Sequence, residues 1–265
     1  MIGLAGCGRM GLPMLAALRD GGTGAMGFDV VDTGAAHVTT NIMAFAPQIE
    51  TLFSVVRDED ETNALLFDTQ NIIGTAPALR RIFICSTLSP RYVRGLRDRI
   101  PGHIALIDAP MSGAVIAAQN RTLSFMLGGT ATDIAEATPL LALMGQHFHH
   151  MGPYGAGMQA KVLNNLLAAS HTAMTRLVLD WADEAGLDTQ HLLNLIETSS
   201  GQNWLASGFD SIEFAKHGYA PDNSIGILVK DVAAALDAAP AGADTDLPRQ
   251  VQASIRALKP RAAGT

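Results

Sequence analysis

The amino-acid sequence predicts an α/β fold in which a doubly wound, mostly parallel sheet is followed by an all-helical C-terminal domain. Two observations support this prediction. Apolar strand patterns alternate with helical patterns over about the first 150 residues, as in successive βαβ units. After Gly155 apolar residues recur at helical spacing and no strand pattern returns. We therefore expect a first domain over residues 1–153 and a second over residues 154–265.

Individual elements follow from the same patterns. The predicted strands are Ile2–Ala5, Ala25–Phe28, Phe53–Val56, Arg81–Ser86, His103–Asp108, Leu123–Leu127 and Phe148–Gly152. The predicted helices of the first domain are one that stops at Gly21, then Glu59–Phe67, Pro90–Arg99 and Thr132–Met144. Those of the second domain are a long helix from Met158 to about Glu184, then Asp188–Glu197, Ser211–Lys216 and Ile225–Ala238.

The first predicted strand leads into a glycine motif, Gly6-Cys7-Gly8-Arg9-Met10-Gly11, and a helical pattern leaves it. Gly6 permits a tight turn, Gly8 lets the backbone approach a diphosphate, and Gly11 lets the helix pack against the strand. The helix N-terminus offers N–H groups and a positive dipole end to that diphosphate. The motif predicts a Rossmann dinucleotide site that includes Arg9 and Met10; the alternative is a Gly-rich turn without a ligand.

Asp29 indicates which dinucleotide binds. It stands at the end of the second predicted strand, 18 residues past Gly11, close to the spacing of the acidic residue that holds an adenosine ribose. A carboxylate accepts hydrogen bonds from both ribose hydroxyls and repels a 2′-phosphate. Because no Arg or Lys occurs in the four residues that follow, the sequence favours NAD over NADP.

Composition excludes several other classes of function. The 265 residues carry a formal net charge of −7, and without a Lys/Arg cluster we expect no nucleic-acid partner. No apolar run reaches the ~18 residues of a membrane span, and the first strand begins at residue 2, so we expect no membrane or targeting segment and a cytoplasmic location. The group His147-x-His149-His150 lacks a third ligand at suitable spacing, so we interpret it as a solvated strand edge, with no metal site.

Lys161 is the strongest catalytic candidate. Its neighbours on the long predicted helix are apolar, and Asn165 lies one turn further on the same face. Apolar surroundings and a second cation, for which Lys230 is a candidate, favour the neutral amine that can take a proton from a hydroxyl. The alternatives are a lysine that extends to the surface and an asparagine that satisfies backbone or helix–helix hydrogen bonds.

Other candidates follow two predicted strands. Ser112 and Gly113 come after Asp108-Ala109-Pro110, where a hydroxyl and bare backbone N–H groups suit a substrate carboxylate; the alternative is an ordinary turn. Thr87, after Ile82–Ser86, is positioned to contact the nicotinamide ribose.

Five motifs together resemble one family, the β-hydroxyacid dehydrogenases, which include 3-hydroxyisobutyrate dehydrogenase and tartronate semialdehyde reductase. These motifs are residues 6–14, Ser86–Pro90, Asp108–Gly113, Gly155–Asn165 and Lys230-Asp231. The resemblance implies NAD-dependent interconversion of a small 3-hydroxy acid and its semialdehyde or keto acid. It also implies that Lys161 is catalytic, that Ser112, Gly113 and Asn165 bind substrate, and that Lys230 reaches the nicotinamide region.

The chain departs from this family at two places. Gly113 is followed by Ala114, where the family usually has a second glycine, and little of the usual closing helix is expected beyond Leu247-Pro248. Two other functions remain open: a catalytically silent NAD-binding protein that acts through its dimer surface, and a reductase of a bulkier carbonyl or imine. Lys161 disfavours the second, because related reductases usually lack it. The apolar long helix predicts a homodimer or homotetramer.

Overall fold

The computed structural model describes residues 1–212, 214–221 and 223–261. These residues form two compact units that divide between Lys161 and Val162. In the first unit, nine strands of the described chain form one sheet: β1 (Ile2–Ala5), β2 (Met26–Phe28), β3 (Val38–Thr39), β4 (Thr51–Ser54), β5 (Arg81–Ile84), β6 (Ala105–Asp108), β7 (Met111–Ser112), β8 (Leu123–Gly128) and β9 (Gly145–Gly152).

The sheet has the strand order of doubly wound dinucleotide-binding folds. The order is β3-β2-β1-β4-β5-β6-β8-β7, and β9 also pairs with β8. Only β8 runs antiparallel to its partners β6 and β7; the other pairs are parallel. Because parallel neighbours need crossover connections, helices separate most of these strands.

The helices of the first unit cover both faces of the sheet. They are α1 (Gly11–Asp20), α2 (Ile42–Phe45), α3 (Glu59–Leu66), α4 (Ile72–Thr75), α5 (Pro90–Arg99), α6 (Ala114–Asn120) and α7 (Ala131–Leu141), with a 3₁₀ turn at Ala46–Gln48. Core residues of α1, α6 and α7 pack in one cluster, and those of α2 to α5 pack in another.

Alternation along the central strands supplies both clusters. Successive side chains of a strand point to opposite faces, so Leu4 joins the first cluster and Ala5 the second. Phe53 and Phe83 stack in the first cluster with their ring centroids 4.3 Å apart. Burial on both faces explains why these strands are almost continuously apolar.

In the second unit, every regular element among the described residues is a helix. Helix α8 (Ala156–Glu184) begins in the first unit and continues into the second, followed by α9 (Thr189–Glu197), α10 (Trp204–Ser207), α11 (Ser224–Asp237) and α12 (Asp246–Arg256). One core cluster joins α8, α11 and α12, and another joins α8, α9 and α10. The predicted fold class, a Rossmann sheet followed by an all-helical part, is confirmed.

Two expectations for the second unit are wrong. The segment predicted as a helix at Ser211–Lys216 forms turns in its described residues, and its apolar side chains Ile212 and Phe214 pack against a core cluster from those turns. The closing helix, expected to be nearly absent, is α12, which runs over 11 residues. Val251 and Ile255, one turn apart, bury its apolar face, and Pro248 lies in its first turn, where a missing N–H costs little.

None of the helices in the described ranges is both long enough and apolar enough to cross a membrane.

Candidate functional site

The glycine loop between β1 and α1 has the geometry that its motif predicts. Gly6 adopts φ +92°, and a Cβ there would lie 2.6 Å from the carbonyl oxygen of Val55. A Cβ at Gly11 would lie 1.9 Å from the carbonyl oxygen of Gly6. Both positions therefore require glycine, because any side chain would push the loop off the strand or the helix.

The same loop leaves room for an anion. A Cβ at Gly8 would meet no atom within 4 Å, so the backbone there is open to a ligand. Met10, the residue before α1, caps the helix with no side-chain hydrogen bond, and the first turn holds no acidic residue. The first turn of α1 thus supplies no carboxylate of its own to offset the positive end of the helix dipole, which suits a diphosphate.

Asp29 lies beside this loop, immediately after β2. Its Oδ2 accepts the backbone N–H of Cys7 at 2.7 Å, and its Oδ1 accepts the N–H of Val31 at 3.0 Å. The carboxylate is half-buried and therefore still reachable by a ligand. The structure brings the predicted ribose-binding residue against the predicted diphosphate loop.

Cys7 fills space beneath the loop. A Cβ added at Gly27 would lie 2.7 Å from its Sγ. Burial, together with the charge of Asp29, raises the pKa of the Cys7 thiol to about 12. The side chain therefore stays a neutral thiol at physiological pH and does not serve as a nucleophile.

Residues 108–113 form an irregular connection at the end of β6. Ser112 lies in β7, a short strand paired antiparallel with β8, which the sequence did not predict. Gly113 adopts φ +129° and is exposed, and Ser112 is half-buried, so the hydroxyl and the backbone are accessible. Thr87 follows the buried Ser86, whose hydroxyl donates to the carbonyl of Val56 at 2.5 Å.

Asp108 opens this connection and is fully buried. Its Oδ1 accepts the backbone N–H of Gly155 at 2.6 Å, and its Oδ2 accepts that of Met158 at 2.5 Å. Burial raises the pKa of Asp108, while the bonds from Gly155 and Met158 oppose that rise. The sequence singled out the motif of Asp108 but gave this side chain no role.

Lys161 and Asn165 lie one turn apart on α8, and both are buried, with 8 % and 9 % of their surface exposed. The amide Nδ2 of Asn165 donates to Oδ2 of Asp231 at 2.7 Å, so it links α8 to α11. This is the helix-joining role left open above; the second amide hydrogen can still serve another acceptor. Asp231 is buried on α11, whereas its neighbour Lys230 is exposed.

The histidines of β9 lie along an exposed strand. His147, His149 and His150 are all exposed, and the Nε2 of His150 lies 3.0 Å from the carbonyl oxygen of Gly129. Among the described residues there is no group of three or more His, Cys, Asp or Glu side chains that could hold a metal ion.

Two family models together match almost the whole chain. Residues 1–152 match the NAD binding domain of 6-phosphogluconate dehydrogenase. Residues 155–264 match the model described as NAD-binding of NADP-dependent 3-hydroxyisobutyrate dehydrogenase.

Individual proteins are similar over most of their length. The chain is 30% identical to 3-hydroxyisobutyrate dehydrogenase of Pseudomonas aeruginosa, over 89% of this chain and 84% of that protein. It is 28% identical to NAD-dependent L-serine dehydrogenase of the same organism, over 92% and 87%. Among solved structures, Mycobacterium tuberculosis 3-hydroxyisobutyrate dehydrogenase with L-serine aligns with a TM-score of 0.79 at 26% identity, over 97% of this chain and 95% of that one.

Proposed function

The chain belongs to the β-hydroxyacid dehydrogenase family of oxidoreductases, and from this premise we propose that it uses NAD to interconvert a small 3-hydroxy acid and its semialdehyde or keto acid. The observation that carries the proposal is Lys161, a buried lysine on α8 with Asn165 one turn away. The named substrates of two relatives, 3-hydroxyisobutyrate and L-serine, share a carboxylate and a hydroxyl on the β carbon.

The glycine loop and Asp29 fit the cofactor. Gly6, Gly8 and Gly11, with the loop residues Arg9 and Met10, would hold the diphosphate, and Asp29 would accept the hydroxyls of the adenosine ribose. Thr87 and Lys230 would contact the nicotinamide end. When bound, NAD supplies the two-electron acceptor for the carbon–hydrogen bond that breaks.

Lys161 is proposed as the general acid/base. During oxidation its neutral amine takes the hydroxyl proton while the carbonyl forms; during reduction its ammonium returns that proton to the carbonyl oxygen. Burial favours the neutral form of an amine, because the charged form loses hydration.

The remaining candidates would orient the substrate. The Ser112 hydroxyl and the Gly113 N–H are donors that suit the carboxylate, and the exposure of this segment makes them accessible. The Asn165 amide, held on one side by Asp231, would present its second hydrogen to a substrate oxygen.

A substrate panel tests the proposed function. The purified chain is assayed for NADH formation with small 3-hydroxy acids that include 3-hydroxyisobutyrate and L-serine, and with cyclic imines and bulky ketones in the reverse direction. We expect turnover with at least one 3-hydroxy acid and none with the imines. NADH binding without turnover on any compound would instead indicate a catalytically silent NAD-binding protein.

Asp29 is predicted to make NAD the preferred cofactor. In fluorescence titrations NADH should bind at least tenfold more tightly than NADPH, a difference of ~1.4 kcal/mol. Asp29→Asn should reduce this preference, because it removes the charge that repels a 2′-phosphate. Asp32→Asn is the matched control: Asp32 is exposed and accepts the N–H of Gly34 instead, so its loss should leave the preference unchanged. Equal binding of both cofactors to the wild type would contradict the prediction.

A further inference from the structure

The N-terminus of α8 is capped by a carboxylate from a distant part of the chain. Helix α8 begins at Ala156, so Gly155 occupies the N-cap position and Met158 the third helical position. Their two N–H groups are the ones bound by the two carboxylate oxygens of Asp108, at 2.6 and 2.5 Å.

This single carboxylate replaces both halves of a capping box. In that motif the N-cap side chain accepts the N–H of the third position, and the side chain of the third position accepts the N–H of the N-cap. Neither Gly155 nor Met158 has a side chain that can do so. The negative charge of Asp108 also faces the positive end of the dipole of a 29-residue helix.

The surrounding backbone fixes the position of this cap. A Cβ at Gly128, the partner of Asp108 across the sheet, would lie 2.1 Å from its Oδ1. A Cβ at Gly157, in the first turn of α8, would lie 2.3 Å from the carbonyl oxygen of Met126. The first turn of α8 therefore lies directly against β8, and the Asp108 carboxylate has little room to move.

We propose that Asp108 is a positioning residue for Lys161, acting through the first turn of α8. Lys161 is three residues beyond Met158, about 4.5 Å along the helix axis. Because Asp108 binds the N–H groups of Gly155 and Met158, it fixes the position of α8 along its axis and its rotation about that axis. Both determine where the side chain of Lys161 projects. This inference rests on the proposed role of Lys161.

A double-mutant cycle tests the proposal. Asp108→Asn keeps the shape of the side chain but has one acceptor oxygen, so one of the two cap bonds is lost. We expect kcat on the best substrate of the panel to fall by about ten- to a hundredfold, with the Kd of NADH unchanged. In a Lys161→Ala background the same substitution should change the residual single-turnover rate by less than about twofold, because two residues acting as one unit are not additive.

The matched control is Asp58→Ala, which removes the cap of another helix. Asp58 caps α3 by accepting the N–H of Glu61 at 2.9 Å, and α3 carries no proposed site residue. This variant should keep wild-type kcat, which separates a general loss of helix capping from an effect on α8.

The outcomes distinguish this inference from the proposed function. Full turnover in Lys161→Ala would overturn both. If Lys161→Ala loses turnover but Asp108→Asn lowers the rate by the same factor in both backgrounds, only the role of Asp108 is overturned. A wild-type kcat in Asp108→Asn would overturn that role as well. If Asp108→Asn does not bind NADH, the smaller Asp108→Ser enters the same cycle. Failure of both to bind NADH would assign Asp108 to folding and overturn the positioning role.

Discussion

Ala114 carries backbone strain next to the proposed carboxylate-binding residues. It adopts φ +54°, directly after Gly113 at φ +129°. A residue with a Cβ in the left-handed region costs about 1–2 kcal/mol, and glycine avoids that cost. The family resemblance implies glycine here, so alanine holds this backbone conformation at the expense of stability.

Ala114→Gly is predicted to stabilise the protein. Relief of the strain outweighs the entropy that glycine adds to the unfolded chain, so the free energy of unfolding should rise by about 0.5–1 kcal/mol in urea titrations. The control is Ala131→Gly, since Ala131 is exposed at the first position of α7 and is not among the positive-φ residues. That variant should be neutral or less stable. A loss of stability in Ala114→Gly would show that packing of the Ala114 methyl group stabilises the fold by more than the backbone strain costs.

Single residues differ in how far the sequence identifies their roles. The spacing of Gly6, Gly8 and Gly11 predicts the loop, because each glycine meets a local steric requirement of the backbone. Asp108 could not be recognised in this way, since the N–H groups it caps lie 47 and 50 residues further along the chain. Likewise, the bond between Asn165 and Asp231 spans 66 residues.

At the scale of elements, α8 is tied to the end of the chain by a buried arginine. Arg176 has 1 % of its surface exposed. It donates to the carbonyls of Ala215 and His217 at 2.8 and 2.7 Å, and to that of Lys259 at 2.5 Å. Burial lowers the pKa of Arg176 from its usual value. One buried guanidinium therefore donates to backbone carbonyls from two separate segments of the chain.

Arg176→Ala is predicted to destabilise the helical unit. Three backbone carbonyls would lose the charge-assisted donor that the buried guanidinium supplies, so the free energy of unfolding should fall by about 3 kcal/mol. Urea unfolding followed by circular dichroism measures this change. Arg256→Ala, at an exposed position of α12, should stay within about 0.5 kcal/mol of the wild type. An equally small change in Arg176→Ala would show that water replaces the guanidinium at no cost.

Elements with a strong apolar pattern were predictable, and six short elements without one were not. The apolar repeat of α8 and the continuous apolar strands β1, β4 and β5 give strong local signals. The elements that the sequence did not predict, β3, β7, α2, α4, α6 and α10, carry too few residues for such a repeat. At residues 211, 212 and 214–216 apolar side chains pack against a core cluster without forming a helix.

At the scale of the whole molecule, α8 presents an apolar stripe that the described chain leaves exposed. Its members are four, seven, three and four residues apart and are 42–64 % exposed: Leu163, Leu167, Met174, Leu177 and Trp181. Exposed apolar surface of this extent is typical of an interface, and the spacing suits a second helix.

The stripe predicts a homodimer or a homotetramer built from it. Light scattering at micromolar concentration should give a mass of at least about 56 kDa, twice the 27.8 kDa of one chain. Leu167→Glu should lower that mass, because it places a charge in the stripe. Leu247→Glu is the control: Leu247 is 67 % exposed on α12, outside the stripe, and its replacement should leave the mass unchanged. A wild-type mass near 27.8 kDa would contradict the prediction.

The turnover of Lys161→Ala on the best hydroxy acid of the panel tests the central claim most directly. The account predicts a loss of two to four orders of magnitude, roughly the contribution of a positioned proton-transfer group, with NADH affinity little changed. Lys161→Arg should not restore activity, because a guanidinium stays protonated. Lys216→Ala, which changes a half-buried lysine outside the proposed site, serves as the control and should keep wild-type turnover. If Lys161→Ala retained more than about a tenth of wild-type turnover at saturating substrate, Lys161 would not be the general acid/base.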